Sequence, residues 1–196
     1  MKPIVQREIL AFEQWEQVRR VLRPLCMNEK DRRRLALGSH ITLLFENVQT
    51  VWYQIQEMLR AERIDKPDAV QEEIDTYNRL LPAPGELAAT IFIEYPHQEE
   101  RGAALRGLAG LERHLWLYAG EHRISARFDD DQTNAGEISA VRFVRFPIGA
   151  ADGDTLVQLA GTGRLAIVLD HPRLTAQARI DVPLARVLAD DLGANL

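Results

Sequence analysis

Glu46 and Glu57 are the residues whose type and spacing first suggest chemistry. Glu46 ends an apolar run, and Glu57 follows eleven residues later, within a segment of helical pattern. Two carboxylates brought together across such a turn bind a hard divalent cation or act as acid and base. His40 precedes Glu46 by six residues. On a regular strand rising about 3.3 Å per residue the two stand roughly 20 Å apart, so His40 joins the pair only if the strand bends. Thr50, Gln54 and Glu57 recur at i, i+4 and i+7, and Gln56, Arg60 and Arg63 follow a neighbouring line beside Gln49 and Tyr53. The same residues also suit a capped helix with a buried polar network, which fixes a core without doing chemistry.

Other chemistries are poorly served. Ser39, Ser125 and Ser139 lie outside any G-x-S-x-G elbow, and no P-loop or dinucleotide fingerprint is present. A single cysteine, Cys26 between Leu25 and Met27, reads as a buried structural thiol. One cysteine cannot build a disulfide framework, a thiolate zinc site or an iron–sulfur cluster within the chain. The histidines form no H-E-x-x-H, and His122 and His171 fall where solvated hairpin turns are expected.

The elements that must position these groups follow from periodicity. Phe12, Trp15, Val18, Leu22 and Leu25 recur at helical spacing, with Pro24 ending the pattern. Asn28 is then expected to cap a short basic helix stopped by Gly38. HITLLFEN reads as a strand, and Asn47 caps a helix over 48–63 with the stripe Val48, Val51, Trp52, Ile55, Met58 and Leu59. Pro67 opens another helix, buried through Val70, Ile74, Tyr77 and Leu81. A last helix begins at Pro183.

From about residue 88 a pattern recurs. IFIEYP, LAG and LWLYAGEHRISARFD are answered by RFVRFP, LAG and LAIVLDHPRLTAQARID, at an offset of 50 or 51 residues. Each stretch reads strand, helix, strand hairpin. The expected class is therefore α+β: a mainly helical region 1–87, with one strand and the strand–helix segment 38–64, packed on a region 88–196. That second region holds a tandem β-α-β-β repeat, copies at about 90–129 and 141–181, forming a shared sheet or partial barrel, plus the terminal helix. Glu94 and Arg145 occupy equivalent positions and are expected to pair across strands. The connecting DDDQTNAGE, 129–137, lacks the Gly and Glu of an EF-hand loop and reads as an acidic loop.

The chain has 196 residues with 24 Lys and Arg against 29 Asp and Glu, a net charge of −5. That balance disfavours a dedicated nucleic-acid binder. The basic excess gathers in Arg19, Arg20, Arg23, Lys30, Arg32, Arg33 and Arg34, which suits a solvated helix face or, as a weaker reading, a nucleic-acid contact. No run approaches the roughly 18 apolar residues of a membrane span, and the N-terminus lacks a secretory pattern, so a cytoplasmic protein is expected.

The string FEN-x-x-T-x-x-x-QIQEMLR, followed by EEIDTYNRLLP and IFIEYP, resembles the bacterial family catalogued as domain of unknown function 3501, over nearly the whole chain. The matching residues are His40, Thr42, Glu46, Asn47, Thr50, Gln54, Gln56, Glu57, Arg60, Glu62, Arg63, Tyr77 and Asn78. The resemblance is to proteins encoded beside rubrerythrin and an iron–sulfur oxidoreductase subunit, which implies an accessory role next to a redox partner. A non-catalytic partner-binding protein using the helix 48–63 is the first expectation. A divalent-metal protein built on Glu46 and Glu57 is the second.

Overall fold

The computed structural model describes residues 1–129, 133–134 and 137–193. After a short 3-10 turn at Gln6–Glu8 come α1 (Phe12–Arg32), β1 (Arg34–Leu37), β2 (Ile41–Phe45), α2 (Val48–Glu62) and α3 (Pro67–Asn78). Next follow β3 (Glu86–Ile93), α4 (Gln98–Gly107), β4 (Leu115–Ala119), β5 (His122–Ser125) and β6 (Arg127–Phe128). Two-residue strands β7 (Thr133–Asn134) and β8 (Glu137–Ile138) pair with each other, and β9 (Val141–Pro147) succeeds them. The chain continues with α5 (Ala150–Leu159), β10 (Leu165–His171), β11 (Leu174–Ile180) and α6 (Val182–Gly193). The expected acidic loop at 129–137 lies in part outside the described residues.

The class is α+β, with two main antiparallel sheets. One runs β1-β2-β3-β9-β6 and the other β11-β10-β4-β5. Segments β3-α4-β4-β5 and β9-α5-β10-β11 each place their first strand in the five-stranded sheet and their hairpin in the four-stranded one. The inward rows meet in one core. Leu43, Phe45, Leu87, Ile91 and Phe146 of the first sheet pack with Leu117, Leu165 and Ile167 of the second, and with Leu105, Leu156 and Leu188 of α4, α5 and α6.

The five-stranded sheet is covered on its other face as well. Leu44 lies opposite Thr90, and Thr90 opposite Phe143, and Phe143 packs into a second cluster with Val51, Ile55, Leu59, Val70 and Ile74 of α2 and α3. This two-sided burial explains why β2 reads as a nearly continuous apolar run rather than a clean alternation.

Several local expectations are corrected. Pro24 does not end the first helix but sits inside the 21-residue α1, and the short basic helix is replaced by the end of α1 and by β1. Gly38 adopts φ +71° in the hairpin turn between β1 and β2. The apolar positions of α1 are not one buried face: Trp15 and Cys26 are buried, whereas Phe12, Val18 and Leu25 are exposed. Glu94 and Arg145 do not pair. Arg145 stands opposite Ala88 and binds Glu86 at 3.3 Å, while Glu94 accepts a hydrogen bond from Thr42. His171 is buried, not a solvated turn residue.

Candidate functional site

Asn47 is the hinge between β2 and α2. Its Oδ1 accepts the Thr50 N–H at 2.8 Å, and Thr50 Oγ1 accepts the Asn47 N–H at 3.0 Å, which closes a reciprocal cap. Its Nδ2 donates to Glu29 of α1 at 3.0 Å. Beside it, Glu46 is buried and both its oxygens are used, one accepting from Thr50 and the other from Thr90 at 2.6 Å.

Farther along α2 the polar line turns toward α1. Lys30 donates to Gln54 Oε1 at 3.1 Å and lies over the Tyr53 ring. Burial lowers the Lys30 ammonium below the ordinary lysine range, against the pull of Glu46. Glu57 accepts from Arg19 at 2.7 and 2.8 Å and from the Trp15 indole at 3.0 Å. Those hydrogen bonds from Arg19, the largest influence, hold the Glu57 carboxyl below the usual carboxylate range. Arg60 pairs with Glu16.

The expected carboxylate pair is therefore not brought together. Nearly a dozen residues of mostly helical rise, about 1.5 Å each, separate Glu46 from Glu57, and each is held by its own partners. His40 is elsewhere again, its ring stacked on Tyr95 with centroids 4.1 Å apart and its Nδ1 3.2 Å from the Glu94 carbonyl. Among the described residues no three His, Cys, Asp or Glu side chains are grouped to hold a metal ion. Gln54, Glu57 and Arg60 of α2 meet α1, whereas Gln49, Glu62 and Arg63 are exposed. The basic block is divided. Arg33 is buried, binding Asp191 of α6 at 2.6 and 3.1 Å and Glu29 at 2.5 Å. Arg20 and Arg23 are exposed, and Arg32 and Arg34 form exposed pairs with Glu29 and Asp31.

What the structure does assemble is a cleft at the C-terminal end of α2. The first eleven residues thread over α2 and α3. Asn78 brackets Ile4, accepting its N–H at 3.0 Å and donating to its carbonyl at 2.9 Å, and Trp52 donates to the Glu8 carbonyl at 2.8 Å. Tyr77 packs against the same cluster, where burial pushes its phenol up. Between this strap and the helices lies a cavity of about 590 Å³. Trp15, Leu59 and Val70 are buried in its lining, Ile9, Leu10, Phe12 and Ile64 add apolar walls, and Glu13, Arg60, Arg63 and Asp65 bring charge. Arg63, left-handed at φ 55°, ends α2 there, and Glu62 stands exposed beside it.

Gln56 is the buried polar group in this lining. It is 1% exposed; its Nε2 reaches the Leu10 carbonyl at 3.4 Å, but its Oε1 has no hydrogen-bond partner. The spacing on α2 identified Gln56, Arg60 and Arg63 but not the opposing wall. Phe12 opens the stripe read along α1, but Ile9 and Leu10 belong to no periodic stripe, so only the tertiary path of the strap reveals them.

Fold and site together define a two-sheet α+β protein with a helical layer that carries an open cleft of mixed apolar and charged lining. The chain belongs to a family described as protein of unknown function, DUF3501, whose model matches residues 3–192. A crystal structure at 1.90 Å resolution of a novel protein of unknown function from Burkholderia pseudomallei K96243 is similar to it. That protein is 38% identical, with a TM-score of 0.89 over 97% of this chain and 100% of the other. No curated protein matches. No helix among the described residues is long and apolar enough to cross a membrane.

Proposed function

We propose that the protein is a non-catalytic binding protein for a small molecule with an apolar body and one N–H or O–H donor, seated in the cleft between the N-terminal strap and α2. The observation that carries this reading is the orphaned Gln56 Oε1 in a lining of Trp15, Leu59 and Val70. A buried carbonyl without a donor costs about 1–3 kcal/mol, and a ligand that supplies the donor recovers that cost. The volume falls in the range of about 300–1,000 Å³ usual for small-molecule sites. Charged side chains in the lining give a ligand's polar end somewhere to emerge. The accessory role implied by the resemblance is compatible with this form, a protein that binds rather than transforms. The metal-dependent alternative has less support, because Glu57 is committed to Arg19 and Glu46 to two threonines.

Indole, an aromatic body with one N–H, is a suitable probe, and 1-benzothiophene is its donor-free counterpart. Calorimetric titration is expected to show indole binding about ten-fold more tightly, the difference of one good hydrogen bond. Gln56→Met should abolish that preference while leaving the fold intact. Equal binding of the two probes to the wild-type protein, or no binding of indole, would overturn the reading.

A further inference from the structure

The outer face of the four-stranded sheet carries a second, independent feature. Its inner face, through Leu115, Leu117, Ile124, Leu165 and Ile167, is in the core. Alternation along each strand therefore turns the intervening residues outward. Strand register sets them in rows. Arg123, Tyr118, Ala166 and Arg179 stand side by side across β5, β4, β10 and β11, and Ser125, Trp116, Val168 and Gln177 form the adjacent row. The Arg123 guanidinium lies over the Trp116 ring, 3.8 Å from its centroid.

Small Ala166 leaves a depression between Tyr118 and Arg179. It is part of an open groove of about 570 Å³ whose lining includes Arg164, Thr162 and Gln177 and contains no Asp or Glu. In a chain of net charge −5 that local absence is informative. Among the described residues no ion pair engages Arg123, Arg164 or Arg179. Asp170, two residues beyond Val168 on the same outward side of β10, is the acid of this face. Trp116, His114 at 3.1 Å and the Arg123 charge all hold its carboxyl below the usual range. It therefore offsets Arg123 at that end and leaves Arg164 and Arg179 as the free charges.

We infer that this face binds single-stranded nucleic acid. Tyr118 and the Arg123–Trp116 stack offer flat surfaces for unpaired bases, and Arg164 and Arg179 meet the phosphates alongside. The overall acidity sets only the long-range field. At the groove itself the charge is positive, and contact electrostatics govern phosphate binding. The whole-chain charge balance averages over this sheet face and says nothing of its local sign.

The test is fluorescence anisotropy of a short fluorescein-labelled oligouridylate with the full chain at low salt. Saturable binding that weakens as salt rises is expected. Tyr118→Ala should weaken it about ten-fold. Arg179→Gln, a surface change that leaves the core untouched, should weaken it and reduce the salt slope by about 0.7. Absence of binding at low salt, or unchanged affinity in both variants, would overturn the inference. Equal affinity for a duplex or for uridine monophosphate would overturn the single-strand assignment. Neither result bears on the cleft beneath the N-terminal strap, which the indole titration tests separately.

Discussion

Glu57 shows how a residue chosen for its chemistry is used for architecture. Its carboxylate accepts three hydrogen bonds from Trp15 and Arg19, fixing α1 against α2. Because Arg19 lowers its pKa in the folded protein, Glu57 contributes stability that is complete above the ordinary value of 4.5 and is lost as pH falls through the lowered folded value. Glu57→Gln is expected to cost about 2 kcal/mol at neutral pH, in the range for hydrogen bonds to charged groups. The variant should also lose less further stability than the wild type on acidification. Urea denaturation at neutral and acid pH checks this, and parallel pH profiles would contradict it. The sequence placed Glu57 and Glu46 on adjoining elements, and Thr50 lies only four residues from Glu46, but Arg19 and Thr90 reach these carboxylates from 38 and 44 residues away.

At the scale of elements, α1 departs most from its sequence pattern. Pro24 removes a helical N–H, and its ring opposes the preceding turn, a cost of about 3 kcal/mol in an isolated helix. The helix continues because it is tied on both sides of Pro24: Trp15 and Arg19 to Glu57 before it, Glu29 and Arg33 to Asn47 and Asp191 after it. Pro24 is exposed. Pro24→Ala is therefore expected to stabilise the protein by about 1–3 kcal/mol, read as a raised denaturation midpoint, and an unchanged or lowered midpoint would contradict this origin of the strain. β1 was hidden for a related reason. Four residues beginning with Arg34 extend a basic block, and only pairing with β2 declares them a strand. By contrast α2 and α3 were legible from Asn47 and Pro67, whose effects are local. The sequence offset of 51 places Ile91 with Arg142, and the offset of 50 places Leu117 with Ile167. Both pairs are direct strand neighbours.

For the molecule as a whole, composition and periodicity sufficed for the α+β class, because core-facing apolar residues must recur with the period of their element. The division into two sheets was not legible, since β3 meets β9 and β4 meets β10 across roughly fifty residues. The cleft was hidden for the same reason. Its floor is written in α2 and its roof in a strap held by Asn78, and neither stretch names the other. Gln56, buried in the cleft wall with its Oε1 unpartnered, is the group on which the proposed ligand depends. The most direct measurement is a nitrogen–proton correlation spectrum recorded while indole is added. Shifts are expected in the Gln56 side-chain amide and the Trp15 indole N–H, with neighbouring shifts confined to the cleft. Unmoved Gln56 and Trp15 signals at saturating indole would contradict the proposed site.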